Sequence, residues 1–252
     1  MTRIINLSLP HQNFASEPYS PIITHTTHDE GARRLAALAK IDPTDFEGGM
    51  ALASDEVTAS THAGTHVDAP WHYGPTCEGK PSKTIDQVPL EWCYGNGVVL
   101  DFRYLEQGSE ITVEDVKEAL NKINYTLNEG DIVLIETGAD KYWGTNKYLP
   151  AQSGLGMDAT EFIVNHGVRG IGIDGWGLDR PVAKMTEAYH STHNKKARWP
   201  SHFFGRQREY LQVEKMANLD KLPSTGFKVC VFPIKIERGS AGWTRAVAIL
   251  ED

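Results

Sequence analysis

Alternation of apolar runs with amphipathic segments constrains the fold of this chain most strongly. Residues 97–102, 131–136 and 170–174 are compact, β-branched and apolar, which is typical of buried strands. Thr112 opens a segment with acidic residues at its start and a single apolar stripe, and this pattern predicts a helix. Residues 158–166 form a second short helical segment that ends at Gly167. The order strand, helix, strand, helix, strand therefore predicts α/β layers over residues 97–175.

The flanking segments add strands to this layered core. Residues 3–7 are typical of a short strand, and residues 48–60 are expected to form a strand that leads into a histidine-rich motif. Near the C-terminus, residues 227–237 and 243–250 are predicted to be two strands joined by a hairpin-like loop at 238–242. We therefore expect an α/β fold with a mixed sheet.

The size of the chain fits one domain. At 252 residues and 40% hydrophobic content, it can bury one sizeable core, so residues 1–252 are predicted to form a single domain. Residues 177–200 are polar and rich in His, Lys and Trp, and their composition predicts a loop or lid. A linker between two domains is the competing interpretation, but apolar strands on both sides favour the single domain.

Charge and cysteine usage disfavour several classes of function. The formal net charge is −8 and no block of basic residues occurs, which disfavours binding to nucleic acid or to an anionic membrane. No secretory signal and no apolar run of membrane-spanning length are visible. The three cysteines are widely spaced and odd in number, so a disulfide framework is not expected and a cytoplasmic location is predicted.

The motif at residues 61–72, Thr-His-Ala-Gly-Thr-His-Val-Asp-Ala-Pro-Trp-His, carries the strongest chemical signal. Its histidines and aspartate are the usual ligands of zinc, manganese or iron. His66 and Asp68 are two residues apart, so on a strand they share one face, roughly 7 Å apart. Gly64 permits a bend that brings His62 back towards them, and Pro70 sets His72 apart. Polar residues capping turns in a Gly/Pro loop are the alternative, which the density of four potential ligands disfavours.

Such a site predicts hydrolytic chemistry. A metal held by three ligands with an open position lowers the pKa of bound water and polarises a carbonyl group. A nearby histidine that is not a ligand, such as His72, can take up and return protons. This combination is suited to hydrolysis of a carboxylic amide or ester.

The motif HxGTHxDxPxH resembles that of the cyclase family, which includes bacterial kynurenine formamidases and isatin hydrolases. Residues 131–138, 170–174, 216–223 and 245–249 look like further family positions. The resemblance implies a swivelling β/β/α fold with a mixed sheet curled towards a barrel. It also implies one or two divalent metal ions, Zn²⁺ or Mn²⁺, and a homodimer or homotetramer.

The resemblance also assigns roles to individual residues. It implies that His62, His66 and Asp68 bind the first metal and that His72 is the catalytic histidine. In formamidase-like members, a histidine and a glutamate twelve residues later hold a second metal. His202 and Glu214 have that spacing here, so Asp68 and Glu214 would bridge the two ions.

Several residues are candidates for binding substrate. Aromatic residues near the motif and near His202 could shape a pocket, although packing in the core or in loops is an equal alternative for each: Trp71, Tyr73, Trp176 and Phe203. Arg206 could hold a substrate carboxylate, with a solvated surface arginine as the alternative.

The predicted function is hydrolysis of a small non-peptide amide, such as the aryl formamide N-formylkynurenine. One alternative is a ring-opening hydrolase of a lactam, imide or lactone, as in isatin hydrolases. A non-catalytic metal-binding protein is the alternative from another class.

Overall fold

The computed structural model describes residues 1–12 and 16–251. Its helices are α1 His28–Ala39, α2 Pro70–Tyr73, α3 Val113–Lys122, α4 Met157–Asn165, α5 Val182–Thr192 and α6 Pro200–Phe204. Its strands are β1 Thr2–Asn6, β2 Ile22–Thr26, β3 Ser54–Thr58, β4 His66–Asp68, β5 Thr76–Cys77, β6 Lys80–Pro81, β7 Tyr94–Asp101, β8 Glu110–Ile111, β9 Ile132–Glu136, β10 Gly154–Leu155, β11 Gly170–Ile173, β12 Leu211–Glu214, β13 Phe227–Cys230, β14 Ala241–Trp243 and β15 Val247–Glu251.

Nine strands form one curled, mixed sheet in the order β1-β15-β13-β7-β9-β11-β12-β4-β14. The central strands β7, β9, β11 and β12 are parallel to one another, and the strands on both flanks pair antiparallel. The α/β class and the mixed sheet are therefore as predicted. The central parallel strands include the three predicted apolar runs, which alternate with helices in the sequence.

Side chains of the central strands alternate between two apolar layers. Val98 and Leu100 of β7 face a layer that α3 and α4 complete, whereas Val99 faces the layer inside the curl of the sheet. The N-terminus of α3 is capped as the sequence predicts: the Thr112 hydroxyl accepts a hydrogen bond from the Asp115 backbone N–H at 3.2 Å. Both faces of the central strands are thus buried, as their continuous apolar runs indicate.

The predicted C-terminal hairpin is present, but an additional strand interrupts it. The segments predicted at 227–237 and 243–250 pair antiparallel as β13 and β15, with Val229 opposite Ala248. Further along, the Ile234 backbone N–H donates to the Trp243 carbonyl oxygen at 3.0 Å. The pairing is therefore as predicted, whereas the short strand β14, which pairs with β4 at the far edge of the sheet, was not predicted.

Residues 177–200, predicted to be a loop or lid, are largely helical, so the loop prediction is wrong, whereas the lid stays a prediction. This segment contains the eleven-residue helix α5 and a short 3₁₀ helix at Lys195–Ala197. Helix α5 buries Met185 but leaves most of its other side chains exposed or half-buried, so its polar composition resembles that of a loop.

Residues 22–58 form a separate layer. Strand β3 appears within the expected 48–60 segment, but it pairs with β2 in a two-stranded sheet outside the main one. Among the residues that the structure describes, no helix is long and apolar enough to traverse a lipid bilayer.

Candidate metal centre and its cavity

The histidine motif folds into a tight turn followed by a strand and one helical turn. Gly64 has a φ of 56°, a left-handed conformation that turns the chain between His62 and His66. His66 and Asp68 lie in β4, and His72 lies in α2, which begins at Pro70. The bend and the shared strand face predicted from the sequence therefore bring these side chains together.

Strand pairing brings a second carboxylate to the motif. In the register between β12 and β4, Glu214 is directly opposite His66. His66 Nε2 lies 3.2 Å from Asp68 Oδ1 and 3.5 Å from Glu214 Oε2, while its Nδ1 is 2.8 Å from the carbonyl oxygen of Gly64. The bond to Gly64 fixes the ring so that Nε2 faces the carboxylates.

Two sets of potential ligands converge and share Asp68. The inner group consists of His66, Asp68 and Glu214, all buried, and the outer group consists of His62, Asp68 and His72. In each group, the candidate ligand atoms lie within 4.8 Å of one another. In the outer group, His62 Nδ1 is 2.8 Å from Asp68 Oδ1, and its Nε2 is 3.0 Å from the Ser240 hydroxyl.

His202 lies beside the inner group. Its Nε2 is 3.6 Å from Glu214 Oε1 and 3.9 Å from Asp68 Oδ2. Asp179 orients this ring: its carboxylate bonds to His202 Nδ1 and accepts the backbone N–H of Ser201 at 2.6 Å. Asp179 is fully buried, and sequence reasoning missed it because no motif connects it with a histidine 23 residues later.

The donor set fits a divalent cation. Both carboxylate oxygens of Asp68 and Nε2 of His66 are buried, and within the described residues none of them makes a hydrogen bond of good geometry, although other candidate ligands such as His62 lie close by. Burying such groups without partners is costly, and imidazole together with carboxylate is a typical ligand set for Zn²⁺ or Mn²⁺.

Burial and charge shift the pKa values of the site in opposite directions. Burial disfavours the charged forms of His66 and His202, but their carboxylate neighbours outweigh it and raise the pKa of each to about 9. For His72, burial is the largest effect and lowers the pKa, although the neighbouring Asp68 carboxylate opposes this shift. His72 is thus neutral at neutral pH in the metal-free site and can accept a proton.

A cavity of about 410 Å³ opens directly above these groups. The residues that line it are mostly aromatic, imidazole or acidic: Glu17, Pro18, Tyr19, Ser60, His62, Ala63, His72, Tyr73, Trp176, Gly177, Trp199, His202, Phe203 and Glu214. Trp199 has a φ of 56°, a strained conformation for a large side chain, and its ring lies 5.2 Å from that of His202. Aromatic walls beside a polar floor are typical of sites for small molecules.

The structure brings most of the predicted site residues together. His62, His66, Asp68, His72, His202 and Glu214 converge, and Tyr73, Trp176 and Phe203 line the cavity. Trp71 and Arg206 are not among the lining residues: the Trp71 side chain is exposed, and Arg206 contacts two residues that do line the cavity. Arg206 donates a hydrogen bond from Nε to the Tyr73 carbonyl oxygen at 2.5 Å, and its guanidinium lies over the Phe203 ring.

These observations define the class of protein. It has a mixed α/β fold with an open cavity above a centre of histidines and carboxylates. The model of a family described as "Putative cyclase" matches residues 5–180, well over half of the chain. The chain belongs to this cyclase family, and the family prediction is therefore confirmed. His202 and Glu214 lie beyond the matched residues, so their place in the site depends on the structure.

Curated relatives carry two names. The chain is 26% identical over 220 residues to an isatin hydrolase of Roseibium aggregatum, covering 84% of this chain and 80% of the relative. It is 25% identical over 216 residues to a kynurenine formamidase of Maricaulis maris, covering 80% and 90% of the two chains. The predicted class, a metal-dependent hydrolase, agrees with these relatives.

Solved structures share the fold. Isatin hydrolase A from Ralstonia solanacearum superposes with a TM-score of 0.79 at 20% identity, covering 99% of this chain and 92% of that one. An isatin hydrolase bound to the product analogue thioisatinate gives a TM-score of 0.77 at 19% identity, covering 100% and 93%. The expectation of a curled, family-type sheet is thus confirmed.

Proposed function

We propose that this protein is a metal-dependent hydrolase of a small aryl amide. The observation that carries the proposal is that the buried polar atoms of Asp68 and His66 lie beside four candidate ligands that line the aromatic cavity: His62, His72, His202 and Glu214. A bound divalent cation supplies Lewis acidity and lowers the pKa of a water molecule. We propose Zn²⁺ or Mn²⁺, with one or two ions per chain.

His72 is proposed to move the proton. It faces the cavity from the single turn α2, and its ring centroid lies 4.2 Å from that of His62 and 5.4 Å from that of His202. A neutral imidazole at this point can accept a proton from water and donate it to the leaving nitrogen. Such a general acid–base residue contributes about 10²–10⁴-fold to the rate.

The aromatic walls are proposed to bind the organic part of the substrate. Trp176 and Trp199 have ring centroids 6.2 Å apart, and both line the cavity with Phe203. Flat apolar surfaces hold an aryl ring and exclude water from the polar floor. The walls therefore favour an aryl amide over an aliphatic one.

The charge of the lining bears on the choice between the two substrate classes. N-formylkynurenine, the aryl formamide candidate, carries a carboxylate, but no Lys or Arg is among the described residues that line the cavity. Arg206, the predicted carboxylate partner, is engaged with Tyr73 and Phe203. This lining favours the second candidate, ring opening of an uncharged lactam, imide or lactone.

The experiment is a comparison of two hydrolysis rates in protein loaded separately with zinc and with manganese. A fast, saturable, metal-dependent rate with N-formylkynurenine would identify an aryl formamidase, and such a rate with isatin would identify a ring-opening hydrolase. No hydrolysis of any amide, imide or lactone by metal-replete protein would support the non-catalytic alternative.

The remaining expectations concern the setting of the protein. We propose a small-molecule substrate, a homodimer or homotetramer, and a cytoplasmic location. The three cysteines, Cys77, Cys93 and Cys230, are all free thiols, which is compatible with a reducing compartment.

A further inference from the structure

Lys215 is buried directly behind the ligand turn. It follows the inner-group ligand Glu214, and its ammonium group donates to Glu17 Oε1 at 2.9 Å, to Glu17 Oε2 at 2.7 Å and to the His62 carbonyl oxygen at 2.6 Å. Its side chain is 3% exposed, and that of Glu17 is 5% exposed. All three ammonium hydrogens thus have an acceptor in a nearly buried cluster.

Glu17 connects the same ammonium group to the turn and to the cavity wall. Its Oε1 also accepts the backbone N–H of Gly64 at 2.8 Å, and this residue makes the left-handed bend between His62 and His66. Glu17, Pro18 and Tyr19 together line the cavity. The ion pair therefore connects a wall of the cavity with the main chain that carries two candidate ligands.

The backbone of Lys215 adds a further connection. Lys215 has a φ of 57°, and its carbonyl oxygen accepts a hydrogen bond from the Thr65 hydroxyl. Thr65 lies between Gly64 and the ligand His66. The ammonium group and the backbone carbonyl of Lys215 therefore both hold the turn at residues 62–66. A non-glycine residue in this conformation is kept there by its surroundings, which these contacts supply.

We propose that Glu17 and Lys215 form a positioning pair that fixes the ligand turn and the Glu17–Tyr19 wall of the cavity. Lys215 fixes the position of the His62 main chain and thereby that of the outer group. Glu17 holds the wall that a substrate contacts, and Tyr19, whose side chain is largely exposed, forms its rim. The inference rests on the proposed function for its kinetic consequences and goes beyond it in assigning roles to these residues.

The two halves of the pair are expected to have different kinetic signatures. The variant Glu17→Gln keeps an acceptor for Gly64 but loosens the wall, so we expect KM to rise at least about tenfold while kcat changes less. Lys215→Met removes the donor to His62, so we expect the affinity for Zn²⁺ to fall at least about tenfold. Zinc affinity is measured by competition with a chromophoric chelator and needs no substrate.

The double variant Glu17→Gln/Lys215→Met separates positioning from simple stability. Each single change leaves an unpaired buried charge, whereas the double variant leaves none, so its melting temperature is expected to recover relative to Lys215→Met. KM and zinc affinity are expected to stay impaired, because the contacts to His62 and to the wall are still missing. Recovery of KM and zinc affinity together with the melting temperature would overturn the proposal.

Two further variants complete the test. Tyr19→Ala alters an exposed side chain and is expected to raise KM without changing the melting temperature; an unchanged KM would remove the wall from the proposal. Glu136→Gln breaks another ion pair, with Arg103, outside this cavity, and serves as the matched control that leaves KM and zinc affinity unchanged. A wild-type protein without hydrolase activity would contradict the proposed function, while zinc affinity would still test the role of Lys215.

Discussion

The inner and outer groups share Asp68 but differ in how firmly their imidazoles are held. In the inner group, His66 is fully buried and bonded to Gly64, and its neighbour His202 is bonded to Asp179. In the outer group, His62 is bonded to Ser240, but no hydrogen bond within the described residues fixes the imidazole of His72, which is exposed to the cavity. A held ring is suited to binding an ion, and a free ring is suited to moving a proton.

Changing the shared carboxylate would break both groups at once. We expect Asp68→Asn to lower metal affinity by more than the roughly 10–100-fold that is usual when a partner of a ligand is lost, because Asp68 belongs to both groups. Metal content after dialysis, measured by atomic emission, checks this result. Stoichiometric retention of metal by the variant would show that Asp68 is not a ligand.

Removing His72 would distinguish the role of the outer group from that of the inner group. We expect His72→Ala to reduce turnover at least about a hundredfold, the range for a general acid–base residue, while leaving metal content nearly unchanged. Steady-state kinetics and metal analysis of the same sample check both parts. Joint loss of metal and activity would instead make His72 a ligand of the outer group, together with His62 and Asp68.

Releasing His202 would test the support of the inner group. We expect Asp179→Asn to lower metal affinity by about 10–100-fold, as is usual when the carboxylate partner of a metal-binding histidine is lost. Unlike His72→Ala, this change is expected to alter metal affinity. Equal metal affinity in variant and wild type would show that His202 does not bind the ion.

Acid should weaken the inner group first. The pKa values of metal-free His66 and His202 are raised to about 9, so protons compete with the cation at neutral pH. The metal affinity should therefore fall about tenfold for each unit by which the pH is lowered and for each proton displaced. Calorimetry in buffers of different ionisation enthalpy counts these protons. Metal binding that releases no protons between pH 6.5 and 9 would contradict the raised pKa values.

The same pKa shifts make the stability of the metal-free protein depend on pH. The metal-free folded state binds more protons than the unfolded chain, whose histidines titrate near pH 6.5. The stabilisation is therefore present below about pH 6.5 and is lost as pH rises through about 9. Thermal unfolding of metal-free protein across this range checks the sign, and the metal-loaded protein serves as the control.

Local sequence determined the central strands, the capped start of α3 and half of the site. Periodicity and capping depend on neighbouring residues, and residues 61–72 place four potential ligands within one short segment. The left-handed Gly64 and the shared face of His66 and Asp68 follow from the same local rules. His202 and Glu214 could be predicted only through the family resemblance, since their local sequence carries no signal.

Tertiary structure alone decided the rest. The polar surface of helix α5 gave this segment the composition of a loop, and β14 pairs with β4, a strand far away in the sequence. Asp179 contacts His202, which is 23 residues later in the sequence. Glu17 contacts Lys215, which is 198 residues later. No periodicity spans such distances, because these pairs form only when packing of the whole core brings distant segments together.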